Sequence, residues 1–318
     1  MKKKVGITKA VSLLRDADNV LIFTHERPDF DTIGSAMALE YALKKLGKTA
    51  QTVCSDTLSD RFLLIRGELE TKITIKPEAV VCVDMAADTM FGKYREEYAD
   101  KVLLSIDHHA TDTHYAQYTY CDPTASATAE LIYAICNKLG VVQDKTLAKY
   151  LYCAISSDSG CFRFSNATPK THAIASELLK TGIDHAYLDR MMFDVRSKEQ
   201  VELERLLLPT LRYYAHGSIA VMIATLDACR KSGADVAEVD ALVQIPRTIE
   251  GVEVGISLKQ QDVDRYKVSV RSNDSFDAAA FAALYGGGGH VRASGFTVCG
   301  DDPVKLADEI AARAEKLL

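Results

Sequence analysis

Tryptophan is absent from the 318 residues, aromatic residues amount to 8 %, and basic charge is not in excess: 38 Lys and Arg stand against 44 Asp and Glu, a formal charge of −6. A chain that grips long duplex DNA or RNA by neutralising phosphates needs a surplus of Lys and Arg. Any nucleic-acid substrate is therefore expected to be short, and base stacking must use Tyr, Phe, His or Arg. No apolar run approaches the ~18 residues of a membrane span, so no membrane partner is expected. The N-terminus is basic like that of a signal peptide, but Lys9, Arg15, Asp16 and Asp18 break what would be its apolar stretch. The eight cysteines lie far apart, with no two-residue spacing of the zinc or thioredoxin kind. They read as reduced residues of a cytoplasmic protein. With 47 % apolar residues, the chain can bury a core in each of about two domains, which excludes a disordered tail or a disulfide scaffold.

Several short apolar runs end in chemically capable residues. Asn19–Thr24 stops at His25, Ala79–Val83 at Asp84, and Lys101–Ile106 at Asp107-His108-His109. Continuous runs of this kind, separated by helical patterns, predict buried parallel strands in an α/β sheet. In such sheets ligands bind at the carboxyl ends of the strands. Helical spacing follows Asp31 and stops near Gly47, and recurs over about 125–155 and over Lys170–Leu179. A leucine-rich charged segment at 196–212 leads into alternating runs at 218–223, 252–258 and 266–271, read as strands. A short helix at 276–284 then meets Gly286-Gly287-Gly288-Gly289-His290. The boundary is expected near 195–205.

The cluster His25-Glu26-Arg27-Pro28-Asp29-Phe30-Asp31 leaves a strand through a turn set by Pro28. Asp31 alone reads as a helix cap and Asp84 alone as a turn residue. Asp107-His108-His109 at the end of a buried strand is hard to justify by packing. Asp158 closes an apolar helix. Four carboxylates packed together repel one another and call for cations. Mixed His and carboxylate ligation without thiolate points to Mn²⁺ or Mg²⁺, with Zn²⁺, Fe²⁺ or Co²⁺ as alternatives. Two such ions would activate a water and polarise a phosphorus centre, so phosphoester hydrolysis is the leading chemistry.

In their order, His25-x-x-Pro28-Asp29-x-Asp31-x-x-Gly34-Ser35, Asp84, Asp107-His108-His109 and Asp158-Ser159-Gly160 resemble the motif series of the DHH phosphoesterase superfamily. Gly286-Gly287-Gly288-Gly289-His290-x-Arg292-x-Ser294-Gly295 is similar to the glycine-rich motif of the DHH-associated C-terminal domain. The resemblance spans nearly the whole chain and is greatest to the bacterial nanoRNase group, bifunctional oligoribonucleases and pAp phosphatases. It implies an N-terminal parallel-sheet catalytic domain (1–195), a helical linker (196–210) and a smaller mixed-sheet α/β substrate-binding domain (211–318), with a cleft between the two domains. It further implies that His25, Asp29 and Asp84 hold one metal ion, and that Asp31, Asp84, His108 and Asp158 hold a second, with Asp84 bridging. His109 would face the scissile phosphate or the leaving oxygen, and Asp107 would orient the imidazoles. Phe30 stands where many relatives carry a small residue, and would narrow the pocket or offer a ring to a base.

The resemblance thus implies a hydrolase that cleaves very short RNA and linear dinucleotides such as pApA or pGpG by two-metal-activated water, and also dephosphorylates pAp to AMP. Mn²⁺ is the first candidate ion, with Mg²⁺ or Co²⁺ as alternatives. In the second domain, Gly287, Gly288, Gly289, His290, Arg292 and Ser294, with Arg271 and Ser272, read as a phosphate clamp: flexible backbone and convergent donors suit an anion. Arg163 reads equally as a phosphate contact or a solvated charge. A cyclic-dinucleotide phosphodiesterase and a non-catalytic nucleotide-binding regulator are the alternatives, and a homodimer is left open.

Overall fold

The computed structural model describes residues 2–58, 60–67, 69 and 71–318. The chain divides into two compact units, Met1–Val195 and Arg196–Leu318. No helix among the described residues is long and apolar enough to cross a membrane, and all eight cysteines are free thiols.

In the first unit, six short strands form a sheet, β1 (Lys3–Lys4), β2 (Val20–Phe23), β3 (Ala50–Val53), β4 (Ala79–Val83), β5 (Val102–Asp107) and β6 (Tyr118–Cys121), of which β2, β4 and β5 are the apolar runs. The order is β1-β6-β5-β4-β2-β3, and every pairing is parallel, as the continuous apolar runs predict. The helices of this unit are α1 (Ile7–Asp16), α2 (Phe30–Lys45), α3 (Arg95–Tyr98), α4 (Thr128–Leu139), α5 (Lys145–Asp158), α6 (Pro169–Leu179) and α7 (His185–Asp189). Both sheet faces are covered, which is why the strands read as unbroken apolar runs. Val20, Ile22, Val81, Val83, Leu104 and Ile106 pack with α1, α2, α4 and α5. Leu21, Phe23, Val80, Cys82 and Val102 turn the other way, onto Phe91, Tyr98 and Tyr115.

Helix α2 is buried on almost every side, which explains its small residues. A Cβ on Gly34 would lie 2.6 Å from the Tyr150 carbonyl oxygen and 2.8 Å from Ala154 Cβ, both on α5. Glycine here lets two helix backbones approach closely. Phe30, at the start of α2, packs its ring on Phe62 at 4.9 Å between centroids and joins the α-helical core. The ring is only partly buried in that packing.

The second unit has a six-stranded mixed sheet, β7 (Arg212–Tyr214), β8 (Ile219–Ala224), β9 (Val254–Gln260), β10 (Arg265–Ser272), β11 (Gly288–His290) and β12 (Ala293–Cys299), ordered β11-β12-β10-β9-β8-β7. Only β8 and β9 pair in parallel. Its helices are α8 (Lys198–Leu207), α9 (Leu226–Ser232), α10 (Ala278–Ala283) and α11 (Pro303–Glu315). Val268, Val270, Ile256 and Leu258 pack with α10 and α11. Helix α8, within the stretch read as a linker, buries Leu203 and Leu207 against Met222 and Ala224 of β8.

Candidate metal centre

The carboxyl ends of β2, β4 and β5 and the facing ends of α2, α4 and α5 place the polar residues of the first unit. His25 follows β2, Asp84 follows β4, and Asp107-His108-His109 end β5. Helix α2 is capped by Asp29, whose Oδ1 accepts from the amides of Asp31 and Thr32 at 2.9 and 3.0 Å. The capping role read for Asp31 therefore belongs to Asp29. Asp31 lies in the first turn, fully buried, and accepts from Ser35 Oγ at 3.0 Å and from the backbone amides of Thr128 and Ala129 at 2.6 and 3.1 Å. Those amides are the N-terminal end of α4, whose dipole favours a negative charge. Asp84 is buried in the left-handed region at φ +56° and accepts from Thr128 Oγ1 at 2.9 Å. Backbone strain of this kind persists where the surroundings over-determine a residue, and is concentrated at functional sites.

Two imidazoles are oriented through their outer nitrogens. His25 Nδ1 bonds the Glu26 carbonyl at 2.7 Å, and His108 Nδ1 bonds the Ala125 carbonyl at 3.2 Å. A ring that donates Nδ1–H to a carbonyl presents the Nε2 lone pair to whatever it faces. His25 Nε2 lies 3.9 Å from Asp29 Oδ1 and 3.6 Å from Asp84 Oδ2. His108 Nε2 lies 3.9 Å from Asp31 Oδ2, 3.6 Å from Asp84 Oδ1 and 3.4 Å from Asp158 Oδ2. Asp84 thus turns one oxygen to each of two groups, the pair His25–Asp29 and the trio Asp31–His108–Asp158.

His109 is held differently. Its Nδ1 meets Asp107 Oδ1 at 2.7 Å, so any exchange with a ligand is through Nε2. Asp107 Oδ1 also accepts from the amides of His108 and His109 at 2.7 and 3.2 Å.

The electrostatics test whether this donor set suits cations. Burial disfavours a charged imidazole, yet the carboxylates win: Asp84 and Asp29 hold His25 up to about 9, and Asp158, Asp31 and Asp84 hold His108 up to about 11. Burial, reinforced by the charges of Asp84 and Asp158, raises the Asp31 carboxyl well above its usual range. Burial, with Asp29 and Asp84, takes Asp158 to about 6. Burial also acts on Asp84, but His25, His109 and His108 outweigh it and hold that carboxyl low. The cluster is short of positive charge. Donor atoms that stand 3.4–3.9 Å apart, too far for most to hydrogen-bond one another, are spaced as ligands sharing an ion at roughly 2.0–2.2 Å would be. The residues fit a divalent cation.

The remaining candidates lie on the turn after α5 and, in the second unit, on and beside the neighbouring strands β10, β11 and β12. Arg163 lies on the turn after α5, exposed, its Nε donating to the Gly160 carbonyl at 2.7 Å. In the second unit the glycine run is partly an edge strand rather than a loop. Gly288–His290 pair antiparallel with Ala293–Gly295, and a Cβ at Gly287 would lie 2.3 Å from the Gly295 carbonyl oxygen. Ser272 and Ser294 are buried with their hydroxyls donating inside the unit, to the carbonyls of Val291 and Ala278. They do not present donors to an anion. Arg292 is exposed and braces the turn after β10, bonding the carbonyls of Phe276 and Asp274. Arg271, half-buried at the end of β10, bonds the Val270 carbonyl at 3.0 Å, and its Nε has no partner among the described residues. Thr128 escaped the sequence reading, and Ser35 entered it only as the end of the motif that begins at His25, with no role assigned. The run Ser126-Ala127-Thr128 before an apolar helix is the signal for Thr128, since it marks a helix start.

The DHH family N-terminal domain matches residues 19–155, and the DHHA1 domain matches residues 218–318. The chain is 33 % identical to the bifunctional oligoribonuclease and PAP phosphatase NrnA of Thermus thermophilus, over 89 % of this chain and 85 % of that protein. It is 27 % identical to the NrnA of Bacillus subtilis, over 99 % and 98 %. A solved exopolyphosphatase-related protein from Bacteroides fragilis has the same fold, with TM-score 0.89 at 24 % identity, covering 98 % of this chain and 96 % of that one. The chain belongs to the DHH family, as a phosphoesterase that carries a C-terminal DHHA1 domain.

Proposed function

We propose that the protein hydrolyses the phosphodiester bonds of very short RNA and linear dinucleotides to mononucleotides and removes the 3′-phosphate of pAp. The observation that carries this reading is the Asp84 carboxylate, with one oxygen toward His25 and the other toward His108. The NrnA relatives, named for oligoribonuclease and PAP phosphatase activity, support the substrate class.

His25, Asp29 and Asp84 would hold one divalent ion, and Asp31, Asp84, His108 and Asp158 a second, Mn²⁺ being the first candidate. Bound there, the ions supply Lewis acidity for water activation and for polarising the phosphorus centre. The chain's own residues do the rest. Thr128 holds the Asp84 carboxylate in register between the two groups. The amides at the start of α4 hold Asp31. His109, its tautomer set by Asp107, moves a proton at Nε2 toward the leaving oxygen. In the second unit, Arg271, His290 and Arg292 bind substrate phosphate, and a few such donors suit a few phosphates, consistent with short substrates.

The test is a panel assay with Mn²⁺ comparing RNA of two to about twenty nucleotides, pAp, cyclic dinucleotides and pyrophosphate, with the size range following from the few phosphates a compact site neutralises. The expected result is rapid turnover of di- to pentanucleotides and pAp, falling steeply with length. Preference for pyrophosphate, cyclic dinucleotides or the longest RNA overturns the proposal.

A further inference from the structure

The turn after His109 folds a second carboxyl group beneath the first. Asp112 bonds the His109 carbonyl through its amide at 3.2 Å, and Thr113 ties the turn to the Ala86 carbonyl through amide and hydroxyl at 2.8 and 3.1 Å. The Asp112 side chain is 1 % exposed. Its Oδ1 accepts from the His114 amide at 2.5 Å and lies 2.9 Å from His114 Nδ1. Its Oδ2, like Asp107 Oδ2, is enclosed and has no partner among the described residues, and Asp107 is the neighbouring carboxyl group that acts on Asp112 as a charge and as a side-chain hydrogen-bond partner. The other groups facing Asp112 are His114, Cys82 and Cys121.

Two buried acceptor oxygens without donors are costly, and neighbouring ionised carboxylates repel. One hydrogen between them removes both penalties. Asp107 already accepts three N–H groups on Oδ1, from the His108 amide, the His109 amide and His109 Nδ1, so it is the acceptor of the pair. We propose that Asp112 is a positioning residue for the hydrolysis, donating a hydrogen bond to Asp107 Oδ2 and so fixing the carboxylate that sets the tautomer and aim of His109. Burial, with Asp107 alongside, holds Asp112 up to about 6, the direction a hydrogen-bond donor requires. This inference rests on the role given to His109 in the proposed function.

Asp112→Asn and Asp112→Ala distinguish a donor from a mere packing group. The His114 amide demands an acceptor at Oδ1, so in D112N the amide nitrogen falls at the Oδ2 position and still donates to Asp107. D112N is expected to keep kcat within about threefold of the unaltered protein, and D112A to lose about 10–100-fold in kcat, with KM within about twofold, the range seen when partners behind a catalytic shell are removed. The low-field ¹H resonance of His109 Nδ1–H should persist in D112N and vanish in D112A. If D112A does not fold, Asp112→Ser, which keeps an acceptor for His114 but is too short to reach Asp107, takes its place. Full activity of the alanine or serine variant, or a D112N variant as impaired as D112A, overturns the proposal. Rates are read on a generic phosphodiester as well as short RNA, so failure of the RNA reading leaves the Asp112 result intact.

Discussion

Asp84 meets two demands at once: a left-handed backbone, which Asp and Asn tolerate better than other L-residues, and a buried carboxylate facing two imidazoles. Asp84→Asn separates them, since the amide keeps the backbone and can still accept from Thr128 while losing the charge. Hydrolysis is expected to fall by more than about 100-fold with the melting temperature little changed, because loss of the ligand proposed to serve both ions should exceed what loss of an outer partner costs. Near-normal turnover in the assay overturns the bridging assignment. At this scale the sequence was legible where a residue's chemistry has few other uses: adjacent imidazoles after a strand have little to do in packing. It was misleading where one residue type serves two ends. Asp29 and Asp31 are two residues apart and chemically identical, and only the geometry of the first turn decides which caps the helix and which is buried. The buried hydroxyls of Ser272 and Ser294 are another such case.

Helices α2 and α5 bring Asp31 and Asp158 to the same nitrogen of His108, and Gly34 sets how closely the two helices approach. Gly34→Ala would place a methyl group against the Tyr150 carbonyl, where backbone must yield. The variant is expected to be destabilised by about 1–3 kcal/mol, as overpacked cores are, measured by denaturant or thermal melting. Its divalent-ion affinity should fall as the two carboxylates separate, which a titration of the metal-free protein would detect. Unchanged melting and affinity would mean that α5 relaxes without cost. The elements themselves were readable, because unbroken apolar runs bounded by helical spacing have one economical interpretation, a parallel sheet covered on both faces. The glycine run was readable only as permissive backbone. That three of its residues extend an edge strand follows from pairing with Ala293–Gly295, a contact no local pattern encodes.

Across the whole molecule, the net charge of −6 takes its meaning from where the acids lie. In the metal-free protein the raised imidazoles contribute stability that is present below the ordinary value of 6.5 and lost as pH rises through about 9 for His25 and about 11 for His108. The raised carboxyl of Asp158 acts in the same sense, favouring the fold below its usual range and losing that contribution as pH rises through about 6. The chelator-treated protein should therefore lose stability as pH rises from about 6 to about 9, while Mn²⁺ binds more tightly over the same window because fewer protons compete for the ligands. Calorimetry in buffers of different ionisation enthalpy should register proton release on Mn²⁺ uptake, with a rise in melting temperature that grows with pH. Uptake without proton release, or with no pH dependence, counts against the cluster as the metal site. By itself the sequence determined the strands and helices and the His and Asp residues near their ends, because strand and helix periodicity and residue type are local properties. Only the tertiary structure decided that Asp84 faces both groups, that the amides of α4 hold Asp31, and that Asp112 neighbours Asp107. Each of these joins residues distant in sequence or turned together by a fold, and depends on packing that no single segment contains.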